Sequence, residues 1–299
     1  VSIAVALLFL FVVYMAYRGR MNRQMRRGVT SRKEAEREIH NILILMLVPI
    51  VLSTVVSNIV IVLDQGVFNA ILAGQGYTEK QYMTIWGVYS GEFRVLMNVP
   101  LSLASCLAPS VVPSLTAAMA RGDRGDARRK IRTSVRFTMI ITIPCAVGMA
   151  ALAKPILTML YPSLETGRPL AVGIMQAGAL LVILYAFSTL TTGILQGLGK
   201  LQTPLINNAA ALVIHFILLY VMLTAGNLNI YAVVWSNICF ALIVSVLNAI
   251  AIARFLHYRQ EWKRTFLIPV IVSIIMGAAA YLVYQLFHLV FGNTISVLF

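Results

Sequence analysis

Long apolar runs separated by short polar stretches make up nearly the whole chain. A membrane crossing takes about 20 apolar residues. This ruler predicts the end of a span near 1–17, then full spans near 41–63, 83–117, 134–153, 170–197, 204–225, 229–253 and 266–291. The expected fold class is all-α, a polytopic transmembrane helix bundle. The chain opens on Val1 inside an apolar run that lacks the charged head of a signal peptide, and 294–299 read as the start of a further span. The expectation is one membrane domain cut from a longer protein. In it, 18–40 form a basic cytoplasmic loop and helix, 41–291 hold seven spans, and 292–299 begin a last helix.

Charge orients this array. Of the 24 Lys and Arg, 20 fall in 18–37, 121–136, 200 and 254–264, all between spans. Loops rich in Lys and Arg stay in the cytoplasm. The expected location is therefore a bacterial plasma membrane, multi-pass, with those loops inside and 64–82, 154–169 and 226–228 outside. Lys80, Lys154 and Arg168 fall in the outer loops or at their edges, whereas Arg94 falls inside an apolar segment. Apolar residues at 60% and charged residues at 11% exclude a soluble globular domain. The net charge of +14 lies in loops between spans, so anionic lipids of the inner leaflet, not nucleic acid, are the expected partners. Cys106, Cys145 and Cys239 are far apart in apolar segments, which gives no support to a disulfide or a metal site.

Two of the basic loops carry helix-start signals. Ser31 followed by Glu34 fits a capping box that starts a charged helix near 32 and runs into the next span. Gly122, Gly125 and Asp126 give a turn and an N-cap before the next basic stretch. These loops read either as plain solvated connections or as contacts to anionic lipid.

The segment 84–115 is too long for a simple crossing and contains Pro100, Pro109 and Pro113 together with Gly87 and Gly91. Proline removes a backbone hydrogen bond, and membrane helices tolerate the break where the backbone is buried in protein or lines a cavity. A long bent helix is expected, with Gly87, Gly91, Pro100 and Pro109 as gating or kink positions. Pro49, Pro144 and Pro269 mark single kinks that packing and hinge roles explain equally.

Within that helix Gly87, Gly91, Arg94 and Asn98 follow the spacing of one helical face. Glu92 lies about 200° around the helix from Arg94, so the two do not form a local ion pair. A charge at the bilayer centre costs at least about 2.5 kcal/mol, which makes an intramembrane ionisable residue a candidate functional site. Arg94, Glu92, Asn98 and Asp64 are the candidate substrate-binding residues. The competing readings are a position near the outer interface or structural pairing with other helices, and Asp64 falls at the outer end of its predicted span. Asn58, Gln176, Gln196, Asn207, Asn208, His215, Asn237 and Asn248 either line a polar interior or bond helix to helix. His215 has no second ligand at metal-binding spacing. Gly193 and Gly197 form a GxxxG motif, which reads as close helix packing.

No motif of a hydrolase, metalloprotease or phosphate-binding loop is present in the sequence. A many-span bundle with kinked helices and polar interior positions suits a transporter and not an enzyme. Gly87-Val-Tyr-Ser-Gly91, Val99-Pro-Leu-Ser-Leu-Ala-Ser and Leu107-Ala-Pro-Ser-Val-Val-Pro-Ser resemble the eighth helix of the polysaccharide exporters of the MOP superfamily. The runs Ala153-Lys-Pro-Ile-Leu-Thr-Met-Leu-Tyr-Pro162 and Thr192-Gly-Ile-Leu-Gln-Gly-Leu-Gly-Lys-Leu-Gln-Thr-Pro204 extend the resemblance. It is nearest to the branch of stage V sporulation protein B and the MurJ-type lipid II flippases.

That resemblance implies a MATE-like fold of 14 helices in two lobes, of which this chain is mainly the C-terminal lobe. It also implies alternating access that moves a lipid-linked sugar pyrophosphate, as in peptidoglycan synthesis or sporulation, from the inner to the outer leaflet. Arg94 then matches the headgroup-binding arginines by helix and residue type, with Glu92 or Asp64 balancing charge or coupling to an ion gradient. No cofactor is expected, and the protein is expected to be monomeric. The rival readings are a cation-coupled multidrug exporter of the MATE type and, from a different class, a membrane enzyme or assembly factor of envelope synthesis.

Overall fold

The structure is a computed structural model that describes residues 7–9, 11–15, 17–19, 32–164, 167–258 and 260–295, with side chains except at 32–38, His288 and 290–295. The expected capping box at Ser31 and Glu34, most of the 18–37 loop and the end of the chain after 295 lie outside the described residues. Two compact units, Val1–Val48 and Pro49–Phe299, divide the chain. The described residues of the first unit are helical, and everything below concerns the second.

Helix α1 spans Arg32–Gly74 and contains the boundary between the units. It is followed by α2 (Glu79–Gly87), a π-helical segment Val88–Phe93, α3 (Arg94–Ala120) and α4 (Arg124–Ala151). Two short helices follow, α5 (Ala153–Leu160) and α6 (Arg168–Ala177). The bundle ends with α7 (Ala179–Gly197), α8 (Gln202–Thr224), α9 (Ile230–Leu256), a π-helical turn Lys263–Leu267 and α10 (Ile268–Ile295). Among the described residues seven helical stretches are long and apolar enough to cross a membrane: Ile39–Gly74, Glu79–Ala120, Arg124–Ala151, Ala179–Gly197, Gln202–Thr224, Ile230–Leu256 and Lys263–Phe287. No strand is present among them. Helices satisfy every backbone group internally, which is what a hydrocarbon environment demands. The chain is an all-α multi-pass membrane protein.

Two large apolar cores stack along the bundle, with a smaller third of Val60, Ala211, Phe240 and Val244. One gathers Phe68, Leu72, Trp86, Phe93, Leu157 and Ile174 toward the turn at 75–78. The other gathers Leu115, Ile131, Met139, Leu190, Ile194 and Leu256 toward the turn at 121–123. The second end is the basic one. Arg128 donates to the Leu256 carbonyl at 2.8 Å, and Arg132 and Arg136 pair with Glu261 at 3.2 Å each, so the basic stretches 121–136 and 254–264 meet there. At the opposite end the Gln75 side chain donates to the Leu223 carbonyl at 2.9 Å.

Three expectations require correction. The loop expected from residue 64 is helix as far as Gly74, because Asp64, Phe68 and Leu72 continue one buried face at a spacing of four. Asp64 therefore lies inside α1, not at its end. The span expected over 170–197 is broken at Gly178 into α6 and α7. A side chain there would clash with the Phe93 ring, so glycine admits the aromatic ring where the two helices part. Finally, Asp123 and not Asp126 caps α4, its side chain accepting from the Asp126 backbone N–H at 2.8 Å. The cap acts on a backbone N–H three residues ahead, which frees the Asp126 carboxylate to pair with Arg129 at 2.8 Å and Lys130 at 3.1 Å.

Candidate functional site

Polar residues on α1, α8 and α9 recur at helical spacing on buried faces. On α1 these are Ser53 and Asp64, on α8 Asn208 and His215, on α9 Asn237 and Asn248. The faces meet, and the residues bond in tiers. Asn208 donates to the hydroxyls of Ser53 and Ser57 at 3.0 and 3.1 Å. Asn248 accepts from Asn207 at 2.8 Å and donates to Thr191 and Thr192 of α7. These amides bond helix to helix, one of the two roles open from sequence.

The tier between the turns is ionisable. Asp64 is 2% exposed and His215 is fully buried. His215 Nε2 lies 2.6 Å from Asp64 Oδ1, and Asn237 donates to Asp64 Oδ2 at 2.7 Å. The Tyr185 hydroxyl of α7 donates to Asn237 Oδ1 at 2.9 Å, which fixes the orientation of the amide. His215 stands edge-on to the rings of Phe216 and Phe240, and its Nδ1 is buried without a hydrogen-bond partner. Asp64 sits about ten residues, or roughly 15 Å of helix, before the end of α1 at Gly74. The histidine that stands alone in the sequence is thus paired with a carboxylate 151 residues away. Sequence reasoning missed this pair together with Tyr185. The available signal was the shared face of Asn208 and His215, seven residues apart on α8.

Arg94 is held differently. Val88–Phe93 is π-helical, which widens the turn and breaks the even spacing expected of Gly87, Gly91, Arg94 and Asn98. Trp86, Tyr89, Phe93 and Met97 form the buried side, and Phe93 is locked against Gly178. Gly87, Gly91 and Asn98 are exposed on the opposite side, while Glu92 and Arg94 are half-buried. Arg94 makes no hydrogen bond or ion pair among the described residues, and Glu92 has one buried carboxylate oxygen without a partner. The Tyr161 hydroxyl donates to the Gly91 carbonyl at 3.3 Å. The hydroxyls of Tyr89 and Tyr185 lie within electrostatic range of both Arg94 and Asp64, so the two charged positions are neighbours across these tyrosines.

Further down α3, Pro100 is buried and Pro109 exposed. A groove of about 320 Å³ between α3 and α7 is lined by Ser105, Pro109, Thr189, Thr192 and Gln196. The GxxxG motif packs as expected: Gly193 lies so close to Ala108 of α3 that an added side chain would meet it at 2.9 Å. Among the described residues there is no group of three metal-ligating side chains.

Residues 87–221 match the MatE family model. The matched segment begins at the glycine before the π turn, contains Glu92, Arg94 and His215, and stops short of Asn237. Lipid II flippase MurJ of Bacillus subtilis is 24% identical over 158 residues, which are 52% of this chain and 28% of that protein. The uncharacterized membrane protein YabM of the same organism is 22% identical over 252 residues, 83% of this chain and 44% of that protein. The chain spans less than half the length of these relatives. No solved structure matches it.

Proposed function

We propose that this protein carries a lipid-linked sugar pyrophosphate, of the lipid II kind, across a bacterial plasma membrane by alternating access, with the basic end in the cytoplasm. The observation that carries the reading is Arg94. It is a guanidinium with no hydrogen bond or ion pair among the described residues, half-exposed within a membrane-spanning stretch and beside a wall that carries Asn98 and two glycines. A pyrophosphate brings several acceptor oxygens, and a guanidinium grips such a group through paired charge-assisted hydrogen bonds. The similarity to a lipid II flippase supports the same substrate class.

Asp64 is assigned to energy coupling. Both of its oxygens face nitrogen groups, His215 Nε2 and Asn237 Nδ2, and the amide oxygen of Asn237 is taken by Tyr185. A buried carboxylate held by a nitrogen group at each oxygen is where this chain would couple transport to an ion gradient. Depleting the native flippase and supplying the full-length protein with Arg94→Ala is the test. Lipid-linked precursor is expected to accumulate on the inner leaflet while the membrane level of the protein is unchanged, and wild-type growth of that strain refutes the reading.

Glu92 supports a second reading, export of organic cations, because its unpartnered carboxylate oxygen is an acceptor for positive charge. Under that reading Glu92→Gln abolishes drug resistance and leaves precursor levels untouched.

A further inference from the structure

At the basic end, away from Arg94, a pocket of about 220 Å³ opens between α4, α7, α9 and the connector that follows α9. Its walls are largely apolar: Ile131 and Val135 from α4, Phe187 from α7, Ala249 and Ala253 from α9. Helix α9 ends on His257 in the left-handed conformation, which folds Tyr258 back so that its N–H bonds the Ala253 carbonyl at 3.2 Å. The chain then carries Gln260 and Trp262 across the mouth. Trp262 is 65% exposed and stacks on Phe266 at 5.0 Å, a placement that suits the boundary between hydrocarbon and headgroups.

We propose that this pocket binds an anionic phospholipid of the adjacent leaflet, one acyl chain entering between α4 and α9 and the phosphate meeting Arg132, Arg136 and Gln260. The volume is below the range of about 300–1,000 Å³ typical of drug-sized sites, so it takes part of a chain and not a whole compact ligand. Charge selects the headgroup. Arg132 and Arg136 share a single carboxylate, Glu261, at 3.2 Å each, which leaves one positive charge uncompensated beside the mouth. Two donors are buried there without an acceptor among the described residues, Arg136 Nε and Gln260 Nε2. The Gln260 amide is oriented, because its oxygen already accepts from the Tyr258 hydroxyl at 2.8 Å and its nitrogen must find another partner. Phosphate oxygens satisfy both donors while the apolar walls take the chain. A zwitterionic headgroup brings its own cation into a site that already holds an excess of positive charge.

The test is tryptophan quenching in vesicles of dibrominated phosphatidylglycerol mixed with plain phosphatidylcholine, and of the reverse pair, with Trp262→Phe isolating the signal of Trp262. Quenching of Trp262 is expected to be about fivefold more effective with brominated phosphatidylglycerol, the ratio that one basic residue near an anionic surface supports. R132Q/R136Q/E261Q removes both cations and their carboxylate together, so no charge is stranded, and it brings the ratio to about one. R132K/R136K keeps most of the preference and guards against a folding defect. Ala249→Phe fills the pocket and keeps every charge, so it lowers quenching by the brominated phosphatidylglycerol to the level set by bulk lipid and brings the ratio to about one, and Ala253→Phe repeats that test at a second position. Inorganic phosphate in large excess does not restore Trp262 emission. Equal quenching by the two lipids in the wild type, an unchanged ratio in the triple variant, unchanged quenching after both fillings, or displacement by phosphate alone each overturns the proposal.

Discussion

Two charged side chains that act on the same pair of tyrosines are treated in opposite ways by this fold. Asp64 is enclosed by α1, α8 and α9, with a partner at each oxygen. Arg94 is half-exposed at the start of α3 and has no hydrogen bond or ion pair among the described residues. Enclosure of a charge is tolerable only where the partners are complete, because an unpaired buried ion costs several kcal/mol. An unpaired guanidinium at a half-open wall remains available to a ligand. Under the proposed function the comparison sets an enclosed, coupling element against a binding element, and each side of it predicts a different response to substitution. On a common scale of folding stability, read by denaturing-detergent titration of the purified protein, the effects run from large to nearly zero.

The largest loss is expected for Asp64→Ala, which strands His215 in a dry interior and lowers stability by about 3 kcal/mol. Replacing both members of the pair, D64L/H215L, leaves no charge unsatisfied and returns most of that loss. A double variant as unstable as the sum of the two single variants breaks the pairing argument. Gly178→Ala comes next. It pushes a methyl group into the Phe93 ring, and overpacking of this kind costs about 1–3 kcal/mol. Because Phe93 precedes Arg94 directly, the same variant is expected to reduce transport more than its stability loss explains. Asn248→Ala is milder, about 0.6 kcal/mol and at most about 1.7, the range of interhelical hydrogen bonds in membranes. Its loss stays structural, with transport per folded molecule unchanged.

The difference between the two regions was only partly legible in the chain. Span number and type follow from the lengths of the apolar runs, since a hydrocarbon environment leaves helices few alternatives. Asp64 was misplaced at a helix end because a charge normally terminates an apolar run, and nothing local says that a histidine 151 positions later will cover it. Arg94 was legible as an exception to the charge pattern. Its setting was not, since the π turn at Val88–Phe93 changes the phase of the helix and no residue type announces such a turn. The partners of Asn207, Asn208 and Asn248 are on other helices. Periodicity places each amide on a face but does not say which faces meet.

The smallest stability effect and the sharpest separation belong to Arg94→Ala. The side chain has no hydrogen bond or ion pair to lose, so stability changes by no more than about 0.5 kcal/mol, as for a surface position. Transport responds in the opposite sense. A charge-assisted hydrogen bond is worth about 1.5–3 kcal/mol, which corresponds to a loss of at least about tenfold in the flux of an undecaprenyl-pyrophosphate sugar in proteoliposomes. Arg94→Lys keeps the charge and loses the planar fork, so it is expected to fall between wild type and Arg94→Ala. Asp64→Asn tests the other side. It removes the charge that faces His215 and keeps the shape of the side chain, so flux is expected to persist while losing its response to an imposed ion gradient. If Arg94→Ala instead destabilises the fold as strongly as Asp64→Ala, the guanidinium is a structural partner like the carboxylate, and the contrast between the two regions disappears.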